Sequence, residues 1–222
     1  RENLNAHYLA AHYQIDPHQT VMLENYGIIN NGVPRDRDHY REMLEYIIDN
    51  DISQPDNYEF VTTRMDIENY IDYQIAEIYA GNKSWPNDNV KYWRYKTDAY
   101  QPDAPYGQDG RWRWIPFDLD DSFGFGQGSW SESFQNNTLL QADSDFLFRS
   151  LNKNSGFRTQ FINRFADHLN TSFEPQRVIS IINEIQDTLN PHMIEHIRRW
   201  NIMGNSLDLW ETNVDVMRDF TS

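Results

Sequence analysis

The stretch Arg111–Gly126, RWRWIPFDLDDSFGFG, constrains the chain most. On a pleated strand, side chains at i, i+2 and i+4 share a face. An alternating strand over Arg111–Asp120 turns Trp112, Trp114, Pro116, Asp118 and Asp120 one way. Arg113, Ile115, Phe117 and Leu119 turn the other way. Apolar residues stand on both faces, so the strand must be buried until it ends in acid. At a rise of about 3.3 Å per residue, Asp118 and Asp120 project from one face roughly 6–7 Å apart. Asp121 and a glycine-rich run follow. Hard oxygen ligands at the end of a buried strand are what a divalent cation takes. Acids after a strand also serve as turn formers or helix caps, and spacing alone leaves both readings open.

The neighbouring segments supply a hairpin. Asn89–Lys96 reads as a strand, Tyr100–Gly110 with its prolines and glycines as a loop, and Arg111–Asp120 as the returning strand. Pairing them antiparallel places Asn89 at the same end as Asp118 and Asp120. Most of the remaining chain has helical period. Short helices are expected at 5–13 and 58–63, and a longer one at 39–49 capped by Asp38. The clearest spans 67–80, capped by Asp66 and closed by Gly81. Thr20–Glu24 reads as a strand, and 25–37 as a loop. Beyond Gly128 the segment to Ala142 lacks a period and reads as a loop. Helices follow at 145–152, 156–169, 175–200 with a break near Pro191, and 207–220. Phe157, Phe161, Ile162 and Phe165 form one apolar stripe. Val178, Ile181, Ile182, Ile185 and Leu189 form a second; Leu207, Trp210, Val214 and Met217 form a third. All three are expected to face a core. The fold class is α+β, mostly helical, with a small antiparallel hairpin sheet in a single domain over residues 1–222.

With 34 acidic and 19 basic residues, the formal charge is −15. That argues against nucleic acid, whose non-specific binding requires neutralising phosphates, and against an anionic membrane surface. There is no cysteine, hence no disulfide or thiolate chemistry. No apolar run approaches the roughly 20 residues of a membrane span. The chain opens on Arg1 rather than Met, and the expectation is therefore a trimmed chain or a fragment of a longer protein. Aromatic residues reach 14%, with 7 Trp and 13 Tyr, a composition that suits cores and recognition surfaces alike. His192 and His196 are the one i, i+4 histidine pair, and they are expected to be a surface feature rather than a zinc site.

Four blocks in order resemble the CotH family, spore coat protein H-like proteins with an atypical protein-kinase-like fold. They are NDISQPDNYEFV at 50–61, DIENYIDYQIAEIYAGN at 66–82, WPNDNVKYWR at 85–94 and GRWRWIPFDLDDSFGFG at 110–126. The resemblance implies the C-terminal lobe of such a fold, with the N-terminal lobe missing. It also implies Mg2+ or Mn2+, ATP and a protein substrate. In kinases a catalytic-loop Asp stands five residues before a metal-binding Asn, and a later Asp holds metal. The family's loop reads Asp-Trp-Pro-x-Asn-Asn. Here those six positions are Ser84, Trp85, Pro86, Asn87, Asp88 and Asn89.

Asn89, Asp118 and Asp120 are thus implied as metal ligands, and Trp85 and Lys91 as cofactor-binding residues. Ser84 occupies the position of the catalytic Asp. Serine cannot accept a proton near neutrality as a carboxylate does. Asp88, replacing the first Asn of the family's pair, is the candidate substitute. Two functions follow. One is Mg-dependent phosphoryl transfer from ATP to Ser or Thr of a protein or a basic Ser-rich peptide. The other is a catalytically inactive pseudokinase, or a surface- or carbohydrate-binding module. The resemblance places the protein outside the cytoplasm, on a bacterial cell surface or spore coat.

Overall fold

The computed structural model describes residues 3–124, 138–200 and 206–221. Helix α1 (Ala6–Tyr13) is capped by Asn5, whose side chain accepts from the amides of His7 and Tyr8. Four strands then build one antiparallel sheet in the order β2-β1-β3-β4. They are β1 (Thr20–Glu24), β2 (Ile28–Asn31), β3 (Lys91–Tyr95) and β4 (Arg113–Ile115).

The segment 25–37, expected as loop, contains β2 and a 3-10 turn at Pro34–Arg37. The tight turn rests on Asn25 and Gly27, both at positive φ (51° and 91°), where Asn and Gly are tolerated. As an edge strand β2 needs one partner and little burial, so its IINN sequence carries no clear strand signal.

Both faces of the sheet are covered. Val21, Leu23, Tyr92 and Trp114 face the main core, with Trp112 beside them; Met22 and Trp93 face a smaller cluster with Leu9 and Ile15. The alternation expected for the strand over 111–120 holds through Ile115 and then stops. Pro116 has no N–H to continue the ladder. The chain bends instead, with Asp118 left-handed at φ 58° and a 3-10 turn at Leu119–Asp121. Asp118 and Asp120 therefore sit on a turn, not on one face of a strand.

Helices cover the main-core face: α2 (Asp38–Asp49), α3 (Pro55–Arg64) and α4 (Ile67–Ala80). Asp38 is not a cap. It lies in the first turn of α2, which continues directly from the preceding 3-10 turn, so Asp38 N–H is already bonded to Arg35 O. Helix α4 is the centre of the fold, buried through Ile67, Tyr70, Ile71, Tyr73, Gln74, Ile75, Glu77 and Ala80. Its Asp66 cap accepts from Asn69 N at 3.2 Å, and Gly81 closes it at φ 66°. Asn69 pins it to the sheet: Trp114 N donates to Oδ1 at 2.6 Å, and Nδ2 donates to Trp114 O at 3.2 Å.

The second half holds α5 (Thr138–Ala142), α6 (Phe146–Leu151), α7 (Ser155–Leu169), α8 (Pro175–Trp200) and α9 (Leu207–Phe220). Residues 138–142 are thus helical rather than loop, and the rest of the loop expected beyond Gly128 lies outside the described residues, as does the glycine run past Gly124. In α7, Phe157 and Phe161 are buried and Phe165 packs against them, but Ile162 is 62% exposed. Helix α8 runs unbroken through Pro191, whose exposed position leaves to solvent the carbonyl that loses its amide partner. Only Val178 and Ile182 of its stripe are buried, against Val214 of α9, while Ile181, Ile185 and Leu189 are exposed. The expectation of a fully buried stripe on α8 is corrected: it packs along one shoulder only. No helix among the described residues is long and apolar enough to cross a membrane.

Candidate functional site

Two loops meet at one end of the sheet because β3 and β4 pair antiparallel, with Lys91 opposite Ile115. The segment entering β3, residues 81–90, and the segment leaving β4, residues 116–124, therefore run side by side. Three hydrogen bonds tie them, and a fourth joins the second segment to the last residue of α4. Phe123 N donates to Ala80 O at 2.8 Å and Lys83 N to Asp121 O at 3.4 Å. Ser84 Oγ donates to Asp121 Oδ2 at 3.1 Å, and Asn89 Nδ2 to Asp118 O at 3.2 Å.

Asn89 thus lies against Asp118 through the backbone carbonyl of the acid. Asn89, Asp118 and Phe123 are all left-handed, at φ 59°, 58° and 54°. Asn and Asp take that conformation readily; Phe does so at a cost of about 1 kcal/mol or more. Asp120, on the same turn, is exposed.

Ser84 meets a carboxylate, but that acid is Asp121. Asp88, four residues on, is committed to the loop. Its Oδ1 accepts from Asn25 Nδ2 at 2.7 Å and from Asn89 N at 2.9 Å. Asn25 also exchanges backbone and side-chain bonds with Val90, clamping the β1–β2 turn to the start of β3. Trp85 precedes a cis Pro86 and is 1% exposed, part of the main core. Lys91 is buried on β3, with Nζ 3.5 Å from Glu24 Oε2 and 3.9 Å from the centre of the Phe117 ring.

Beneath the 81–90 loop stand two residues not read as part of the site. Asn82, fully buried, accepts from Ser84 N and donates to Glu77 Oε2 at 2.8 Å. Glu77 is also fully buried, with the Tyr73 hydroxyl as a second polar neighbour of its carboxyl. Burial pushes its carboxyl up to about 7, against the opposing pull of the Asn82 bond. The only sequence trace of this pair is a Glu on the apolar face of α4 and an Asn just past its closing glycine.

An acid with a raised folded-state pKa binds its proton more tightly folded than unfolded, so its contribution to stability falls as pH rises from about 4.5 through 7. Glu77→Gln should therefore leave stability near pH 4 almost unchanged and raise it by about 3 kcal/mol at pH 8. Urea titrations at the two pH values check this; an equal effect at both would refute it.

The acids of this turn are hard oxygen donors. Among the described residues, no three His, Cys, Asp or Glu side chains are grouped to hold a metal ion. That donor set suits Mg2+, which binds through one or two carboxylates together with substrate phosphates rather than in an all-protein cage.

Comparison with curated proteins and with solved structures returns no match. The family model described as CotH kinase protein matches residues 5–222, spanning the helices, the sheet and both loops of the site. By that match over nearly its whole length, the chain belongs to the CotH kinase family.

Proposed function

We propose that this kinase-like chain takes part in Mg-dependent phosphoryl transfer from ATP to Ser or Thr of a protein substrate at an extracytoplasmic surface or spore coat. The observation that carries the reading is the meeting of the Ser84–Asn89 loop with the acidic 118–121 turn, in a family of kinase-like proteins. Asn89, Asp118 and Asp120 are the residues that would hold Mg2+ or Mn2+. A bound cation there supplies positive charge for the phosphates. Asn82 and Asp121 fix the Ser84 backbone and hydroxyl, and Asp88 and Asn25 fix the far end of the same loop.

One observation favours a second reading, a nucleotide-binding protein without turnover. The side chain at position 84 is a hydroxyl, and it is spent on Asp121. Thermal melts with ATP, with Mg2+ and with both test the first stage. Raised stability is expected only with both together, and Asp118→Ala should abolish the gain. No shift with Mg-ATP would remove either reading. Labelled ATP with a basic Ser-rich peptide then separates transfer from binding alone.

A further inference from the structure

A cavity of about 680 Å3 opens at the end of β3 away from the acidic turn, between the Pro34–Arg37 turn, the start of α2 and residues 94–98. Arg94, opposite Val21 on β1, lines it. Arg94 is 6% exposed, and its guanidinium carbon lies 5.9 Å from the centre of the Trp112 ring. Nη2 donates to Thr97 O at 3.0 Å, Nε has no hydrogen-bond partner, and no carboxylate among the described residues forms an ion pair with it. A buried charge without a counter-charge is costly.

His39, in the first turn of α2, also lines the cavity. Trp112 Nε1 lies 3.0 Å from its Nδ1. An indole N–H only donates, so Nδ1 accepts and Nε2 carries the ring proton as a second donor. Burial and the charges of Arg94 and Arg64 hold the ring at about 3, so it is neutral at pH 7. Three carboxylates share the lining with Arg35 and Lys96. Asp36 is already held by Val33 N at 2.9 Å and Lys96 Nζ at 3.4 Å. Asp38 and Asp98 are exposed, where water and salt screen them. Arg94 carries the one buried charge among the described lining residues, and its planar fork of donors matches a phosphate-type oxyanion.

We propose that this cavity seats a phosphate or sulfate oxyanion, its charge met by Arg94 and one oxygen accepting from His39 Nε2, with Arg35 and Lys96 at the mouth. The same tetrahedral group occurs as a free ion and on a phosphorylated side chain of a polypeptide. The chain's charge of −15 repels anions at long range, so affinity must come from these local contacts. The seat stands apart from phosphoryl transfer: it shares no residue with the 81–90 loop or the 116–124 segment and lies at the opposite end of β3.

The test titrates the protein with inorganic phosphate and with sulfate at constant ionic strength, reading calorimetry and the NMR resonance of His39 Nε2–H. Saturable binding that moves this resonance is expected. Arg94→Met should weaken binding about tenfold or more. Arg35→Ala, at an exposed position that leaves the core intact, should weaken it about threefold. Phosphate should raise the melting point of the parent and leave that of Arg94→Met unmoved, whereas a merely structural arginine would cost the same stability with and without phosphate. N-acetyl-phosphoserine amide separates the two sources: binding like that of phosphate marks a seat open to a polypeptide, and binding of the free ions alone marks a small-ion seat. If Arg94→Met does not fold, the Arg35→Ala affinity and the His39 resonance decide. No saturable binding, a His39 resonance that phosphate leaves in place, or a melting loss in Arg94→Met that is equal with and without phosphate would overturn the assignment, whatever the outcome with Mg-ATP.

Discussion

Replacing Arg113 with Met should lower stability by about 3–5 kcal/mol, the scale for breaking a buried ion pair by removing one partner. Arg113 is 1% exposed, and its Nη2 lies 2.7 Å from Asp109 Oδ2 and 2.9 Å from Asp66 Oδ2. Its Nη1 donates to Asp109 Oδ1 at 2.8 Å, making the Asp109 contact bidentate. Both carboxylates are nearly buried, so removing the guanidinium leaves Arg111 as their one cationic partner among the described residues, at 2.8 Å from Asp109 and 3.5 Å from Asp66. For a chain of this size the loss corresponds to a melting shift of about 6–20 °C. Burial pushes Asp109 up, but the hydrogen bonds from Arg113 and Arg111 prevail and hold its carboxyl at about 2. A depressed acid contributes stability above its unfolded pKa of 3.8 and loses it as pH falls toward 2. Arg113→Met should therefore flatten the acid limb of the stability curve as well as lower its plateau. Urea titrations from pH 7 down to 2 measure both, and a loss under 1 kcal/mol would show that Arg111 alone suffices.

The second large effect is at position 84. If the chain transfers phosphoryl groups, Ser84→Asp should raise the rate by about a hundredfold or more, the scale of a positioned general base. The geometry adds a further readout. Ser84 Oγ is 3.1 Å from Asp121 Oδ2, so a carboxylate at 84 would face a second carboxylate. Two like charges at that range disfavour joint ionisation. The variant should melt below the parent without divalent cation and recover with Mg2+, because a cation relieves the repulsion. A lower melting point that Mg2+ does not restore, with no gain in transfer, would remove the acid site as the seat of chemistry.

Local pattern determined much of this protein. The period of 67–80, its Asp66 cap and its closing Gly81 located α4 to the residue, because those signals act within one turn of helix. The end-to-end arrangement of the hairpin was legible too: antiparallel pairing of 91–95 with 113–115 brings the segments outside them together whatever their side chains do. Tertiary structure decided what those segments present. Pro116 ends the ladder before the acids, Asp118 turns left-handed, and Asp121 rather than Asp88 receives the Ser84 hydroxyl. Asp66 reads as a cap, yet it also pairs with Arg113, a partner chosen only when β4 docks on α4. Periodicity likewise marked an apolar face on α8 without stating how much of it would be covered. A sequence pattern reports which side of an element is apolar or charged; burial, and with it the pKa of Glu77 or the pairing of Arg113, depends on what the rest of the chain brings against that side.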